Sequence, residues 1–248
     1  LRLGESADAW NLSHPNQVEE VARAYVAAGA RAILTNTFQA NPRALARCGL
    51  DVEAPRVNLE GARIARRAAA GTGVRVLGSL GPVGDLGVAA DAFALQARAL
   101  ADGGADALVL ETISDPAEAR LGVLAGRAVG LPVVASFYFD ATGGTPRTLT
   151  GAAPDEVARA MADAGAAAVG ANCLAVEDAA DVSRRLRAAC GLPVWIKPNA
   201  GLPEIVDGRA VYGQTPERFA SYFSGLVEAG ASFVGGCCGN SPAFVRAL

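Results

Sequence analysis

Four segments of this chain carry one pattern: a glycine, an alanine, then a short apolar run. They read AGARAILTNTF at 28–38, GGADALVLETI at 103–113, AGAAAVGANC at 164–173 and AGASFVGGCC at 229–238. Helical stretches such as PNQVEEVARAYVAA and PERFASYFSGLVEA precede them, with apolar residues three and four apart as on one helix face. The glycine is then the residue that turns left-handed to close the helix. The run after it is too short for a helix and rich in β-branched and apolar types, which predicts a strand buried on both faces. Three further runs fit between these: VRVLGSLGP (74–82), LPVVASFYF (131–139) and LPVWIKPN (192–199).

Strict strand–helix alternation demands a parallel sheet with right-handed crossovers. Strand spacings of roughly 25 to 45 residues suit a (β/α)8 TIM barrel, whose usual size is about 250 residues. The whole chain, 1–248, is therefore expected to be a single barrel domain. Seven strands are visible, one short of eight. The opening LRLGESADAW reads as a loop into the first helix, so the first strand is expected to be missing from the N-terminus. The alternative is an open doubly wound sheet, and the absence of a GxGxxG after the first strands weakens its dinucleotide-binding version.

Composition agrees with a buried sheet under alanine-rich helices: 51% of residues are hydrophobic and only 19% charged. A net charge of −3 without a Lys/Arg cluster leaves no electrostatic footprint for nucleic acid. No apolar run approaches the roughly 18 residues of a membrane span, and the N-terminus has no apolar signal core. The expectation is a soluble, cytoplasmic protein.

In a parallel barrel the site lies at the C-terminal strand ends. Those ends supply Thr35, Asn36 and Thr37, then Ser79, then Glu111 and Thr112. They continue with Ser136, Tyr138 and Asp140, with Asn172 and Cys173, with Lys197 and Asn199, and with Cys237 and Cys238. The adjacent cysteine pair stands out. Neighbouring strand residues point to opposite faces, but Gly235, Gly236 and Gly239 would let the backbone bend so that both thiols turn inward. Zinc takes thiolates in tetrahedral geometry, and Cys173 would complete a set of three. Buried core thiols or redox thiols are the other readings of the same residues. Cys48 and Cys190, each before a Gly-Leu helix stop, are expected to be small buried side chains. His14, the only histidine, reads as part of a helix entry, with Ser13 or Asn16 as cap and Pro15 near the first turn.

Taken together, TNTF, LETISD, GANC, KPNAG and GGCCG resemble the homocysteine S-methyltransferase family, from about Asn11 to the C-terminus in order and spacing. GANC followed some sixty residues later by GGCCG is the specific element. The resemblance implies a zinc ion held by Cys173, Cys237 and Cys238, and homocysteine as the thiol that accepts a methyl group to give methionine. It implies Glu111 as the partner of the substrate ammonium and Asn199 as a neutral oxygen near the metal or a turn residue. Asn36 and Asn172 would orient substrate or cysteine loops, or serve structure, and backbone N–H groups around Gly235 would take the substrate carboxylate. The methyl donor is open between small molecules and a separate cobalamin or folate protein, since the sequence has no DxHxxG segment to ligate cobalt. LRLGES does not match the family's opening strand ending in Asp-Gly. Two other classes remain: a phosphate-binding barrel aldolase or isomerase using Lys197, and a non-catalytic zinc or thiol module.

Overall fold

A computed structural model describes residues 6–206 and 208–248. In chain order the elements are α1 (Trp10–Ser13), α2 (Pro15–Ala27), β1 (Ala32–Leu34), α3 (Pro42–Leu45), α4 (Ala54–Ala68) and β2 (Arg75–Leu80). Then come α5 (Leu86–Asp102), β3 (Ala107–Ile113), α6 (Pro116–Ala128), β4 (Val133–Phe137), α7 (Pro154–Ala164) and β5 (Ala168–Asn172). The last third holds α8 (Val176–Ala189), β6 (Val194–Lys197), β7 (Pro203–Val206), β8 (Arg209–Tyr212), α9 (Pro216–Ala220), α10 (Phe223–Glu228), β9 (Ala231–Val234) and α11 (Pro242–Ala247). All seven expected strands are present, and the opening LRLGE, read above as part of a loop leading into the first helix, lies outside the described residues.

The strand order is β1-β2-β3-β4-β5-β6-β9. Apart from the separate β7–β8 hairpin inserted between β6 and β9, each strand lies beside the one before it in the chain, with no reversal of direction. A doubly wound sheet needs a reversal at its switch point, so the order is that of a barrel. The repeat glycines do what their spacing predicts: Gly29, Gly104, Gly165 and Gly230 all have φ between 84° and 100°. At three of them the following alanine N–H reaches back to close the helix, Ala30 to Tyr25, Ala105 to Leu100 and Ala166 to Met161, the six-to-one bond of a Schellman end.

The chain divides into two compact units, one running to Glu111 and including Ala117–Val134, the other comprising Thr112–Pro116 and Ala135–Leu248. In the first, β1, β2 and β3 pair in parallel, with Ile33 opposite Val76 and Leu80 opposite Leu110. Helix α4 buries Val57, Gly61, Ile64, Ala65 and Ala68, a spacing that keeps one stripe against the sheet. The Glu118 carboxylate accepts from the backbone N–H of Val83 at 2.6 Å and Gly84 at 2.9 Å, fixing the loop after β2. In the second unit β5, β6 and β9 pair in parallel, with Asn172 opposite Lys197 and Ile196 opposite Val234. A Cβ on Gly170 would lie 1.9 Å from the Trp195 carbonyl oxygen, so β5 and β6 approach this closely only because position 170 has no side chain.

Some local expectations need correction. The N-cap of α2 is His14 itself, without a side-chain cap bond, and Pro15 opens the helix. Cys48 is exposed and Cys190 half-buried. Their thiols turn back to helix carbonyls, Cys48 to Leu45 at 3.2 Å and Cys190 to Leu186 at 3.8 Å, because both stand where the chain leaves a helix toward the surface. The antiparallel hairpin β7–β8, with Glu204 opposite Val211, was not foreseen. Its signal was legible in EIVDGRAVY, where Asp-Gly is flanked by β-branched residues.

Candidate metal centre

Cys173 follows directly after β5, and Cys237 and Cys238 stand in the turn after β9. The Sγ of Cys173 lies 3.0 Å from that of Cys237 and 3.7 Å from that of Cys238, and the three sulfurs fall within 4.8 Å of one another. Among the described residues these three form the group of ligand-type side chains close enough to share an ion. A tetrahedral site with Zn–S bonds of about 2.3 Å keeps its sulfurs about 3.8 Å apart. Of the separations from Cys173, that to Cys238 already matches and that to Cys237 needs to open by less than an ångström. The Cys237–Cys238 pair stays within 4.8 Å, so the donor set fits zinc in chemistry and approximate spacing.

Backbone hydrogen bonds tie together the segments that gather them. Cys173 donates its N–H to the Lys197 carbonyl at 3.2 Å, and Cys237 donates to the Pro198 carbonyl at 2.8 Å. Asn199 joins the two cysteine segments with one side chain: its Nδ2 donates to the Cys173 carbonyl at 3.1 Å and its Oδ1 accepts from the Cys238 N–H at 3.0 Å. The bend that turns adjacent thiols toward one point depends on Gly239, which has φ 79° and lies against the Tyr212 ring where a Cβ would come within 2.3 Å of Cγ.

Electrostatics in this cluster are in conflict. Hydrogen bonding to Cys237 and then Cys238, with burial, holds the Cys173 thiol above its ordinary range. Cys173 and then Cys237, as hydrogen-bond partners, pull Cys238 below it, assisted by the Tyr212 hydroxyl and the Lys197 charge. Burial and the adjacent Cys238 sulfur in turn raise the Tyr212 phenol. Sulfurs this close cannot all carry charge side by side, and a divalent cation among them removes the conflict.

Asn172, the last residue of β5, is wholly buried. Its Oδ1 accepts from the Ser136 hydroxyl at 2.7 Å and the Thr112 N–H at 2.9 Å. Its Nδ2 donates to Thr112 Oγ1 at 2.7 Å and lies 3.7 Å from Cys237 Sγ. Thr112 and Ser136 stood among the strand-end residues but carried no assigned role, because a sequence gives no sign of which strand-end hydroxyl faces a sulfur. Lys197 is buried on β6, its Nζ 6.0 Å from the centre of the Trp195 ring.

Three other expected site residues have defined partners. Gly235 donates its N–H to the Ile196 carbonyl at 3.0 Å, extending the β9 ladder, so this N–H is already spent and does not await a substrate carboxylate. Asn36 belongs to the first unit, where its Nδ2 donates to the Ala7 carbonyl at 2.7 Å and to Asn11 Oδ1 at 3.1 Å, tying the segment around α1 to the end of β1. Glu111, also in the first unit, is buried and accepts from the Ser79 hydroxyl at 2.6 Å.

The sequence profile of the homocysteine S-methyltransferase family matches residues 2–248. The chain belongs to the homocysteine S-methyltransferase family. Within curated relatives, the methionine synthase of Mycobacterium tuberculosis is 33% identical over 259 residues, covering 95% of this chain and 21% of that protein. The Mycobacterium leprae methionine synthase is 32% identical with the same coverages, so the chain spans about a fifth of the length of the curated relatives it matches. Among solved structures, the metallated form of the homocysteine methyltransferase MmuM from Escherichia coli gives a TM-score of 0.83 at 26% identity, covering 100% of this chain and 89% of that one. Its apo form gives 0.79. The fold of this homocysteine S-methyltransferase family member is the TIM-barrel type expected from the strand–helix repeat.

Proposed function

We propose that residues 1–248 act as one homocysteine-binding domain that transfers a methyl group to the sulfur of homocysteine, giving methionine, with zinc held by Cys173, Cys237 and Cys238. The observation that carries this reading is the convergence of three sulfurs within 4.8 Å in a member of this family. When bound, zinc supplies the Lewis acidity that keeps a thiol, whose ordinary pKa is near 8.5, deprotonated and nucleophilic at neutral pH.

The chain's own residues bind and orient. Glu111 pairs its carboxylate with the substrate ammonium, steered by the Ser79 hydroxyl that donates to it. Asn199 braces both cysteine segments, and the ammonium of Lys197 offsets part of the negative charge that three thiolates bring. Gly235 shapes the turn rather than receiving the carboxylate. The methyl donor arrives as a small molecule or on a separate cobalamin- or folate-binding protein; the likeness to MmuM and to methionine synthases supports a donor from this range. No helix among the described residues is long and apolar enough to cross a membrane. Three thiols kept free for a metal call for a reducing compartment, which supports a cytoplasmic site for the reaction.

Purified, zinc-loaded protein incubated with homocysteine and, in separate arms, S-methylmethionine, S-adenosylmethionine, betaine, methylcobalamin and methylfolate is expected to form methionine from one of them. Cys237→Ser should lower bound zinc from about one per chain to near zero and abolish turnover, since a three-thiolate site loses a ligand outright. Zinc bound without methionine from any donor would defeat the enzymatic reading.

A further inference from the structure

Two described residues other than glycine have positive φ: Thr112 at 58° and Cys173 at 62°. For a β-branched residue this is a true outlier, and such conformations persist only where the surroundings over-determine them. Here both residues meet in one place. Thr112 Oγ1 lies 3.8 Å from Cys173 Sγ, and the side chain of Asn172 holds Thr112 by its N–H and by its hydroxyl oxygen at once.

The hydrogen-bond directions follow from the inventory of donors and acceptors. The Asn172 Oδ1 is filled by Ser136 Oγ and Thr112 N, so Nδ2 is the atom that faces Thr112 Oγ1 and Cys237 Sγ. An amide nitrogen only donates. Thr112 Oγ1 therefore accepts from Asn172, and its own hydrogen is left to point at the next acceptor, the sulfur of Cys173. Asn172 spends its second hydrogen on the sulfur of Cys237.

We propose that Thr112 is a positioning residue of the metal centre: oriented by Asn172 and Ser136, it donates its hydroxyl hydrogen to the Cys173 sulfur while Asn172 donates to Cys237, so that two of the three ligand sulfurs are aimed and hydrogen-bonded from outside the metal. The left-handed turn at Thr112 is the conformation that brings its backbone N–H and hydroxyl to the same amide. Hydrogen bonds of this kind stabilise thiolate over thiol and hold the rotamer that ligation needs. The inference rests on the three-cysteine centre proposed above and adds the group that tunes it.

The test is zinc affinity, measured by competition with a chromogenic chelator, and the thiolate-to-metal charge-transfer band of the cobalt(II)-substituted protein. Thr112→Val keeps the shape and branching of the side chain but removes the hydroxyl, and is expected to weaken zinc binding about 10- to 100-fold and to shift the cobalt band, while Thr112→Ser should return affinity to within about threefold of the parent. Circular dichroism of each variant establishes that the fold is kept. If Thr112→Val does not fold, Ser136→Ala, one bond further from the sulfurs, carries the same prediction with a several-fold smaller loss. Parent protein that binds zinc, with a folded Thr112→Val of unchanged affinity and spectrum, overturns the inference alone, as does unchanged Ser136→Ala in the fallback. Parent protein that binds no zinc overturns the proposed function with it.

Discussion

At the scale of single residues, the centre depends on side chains that hold backbone as much as on those that offer sulfur. Asn199 is the sharpest case, since one amide bonds Cys173 on one side and Cys238 on the other. Asn199→Ala removes both bonds and leaves a carbonyl and an N–H to find other partners, a cost of about 1–3 kcal/mol in stability. The same change is expected to weaken zinc binding about 10- to 100-fold, as loss of an outer-shell partner does elsewhere. A chelator competition titration checks it, and an unchanged affinity would reduce Asn199 to a turn residue. The cysteines themselves were legible in the sequence, because a thiol pair between glycines is an unusual way to fill a core. For Asn36 the sequence left a substrate role and a structural role open, and for Gly235 it gave no sign that the N–H is bonded to Ile196: whether an amide or an N–H is free or already spent depends on neighbours that the chain order does not reveal.

At the scale of elements, β5 is the strand on which the site is mounted. It carries Asn172 and leads into Cys173, and its register against β6 sets Asn172 opposite Lys197. Gly170 allows that register by giving the Trp195 carbonyl room that any side chain would fill. Gly170→Ala must push the two strands apart, because the obstacle is backbone rather than a flexible side-chain end. We expect a loss of about 3 kcal/mol or more in chemical denaturation, at the upper end of overpacking costs, together with loss of zinc binding through displacement of Cys173. A variant with parent-like stability would mean that the strands separate more easily than their packing implies. The strand–helix elements were readable because each is signalled within a dozen residues by periodicity and a terminal glycine. The β7–β8 hairpin carried an equally local signal in the Asp-Gly dipeptide of its sequence, and it was missed only because the barrel pattern does not call for it.

For the molecule as a whole, the proposed ligands are distributed unevenly. Cys173, Cys237 and Cys238 all belong to the second compact unit, and so do Thr112, Ser136, Asn172 and Asn199. Metal binding should therefore stabilise that unit in particular. With free zinc at about 100 times its dissociation constant the gain is about 2.7 kcal/mol, which for a chain of this size corresponds to roughly 5–10 °C in melting temperature. Chelation should reverse it. Hydrogen exchange with and without zinc is expected to show the added protection at 168–173, 194–200 and 235–240, with little change across β1 and β2. Equal changes in both units would contradict this picture.

The order of strands and helices, the left-handed glycines that end the helices, and the candidate ligand types follow from the chain alone, since each rests on interactions between residues close in sequence. The tertiary structure decided the rest. Cys173 and Cys237 are 64 residues apart, and their sulfurs meet only because β5, β6 and β9 pair in parallel, bringing one end of each strand to the same edge. The left-handed turn at Thr112 and the direction of its hydroxyl depend on Asn172, 60 residues further on, and a torsion imposed by so distant a partner leaves no trace in the local sequence.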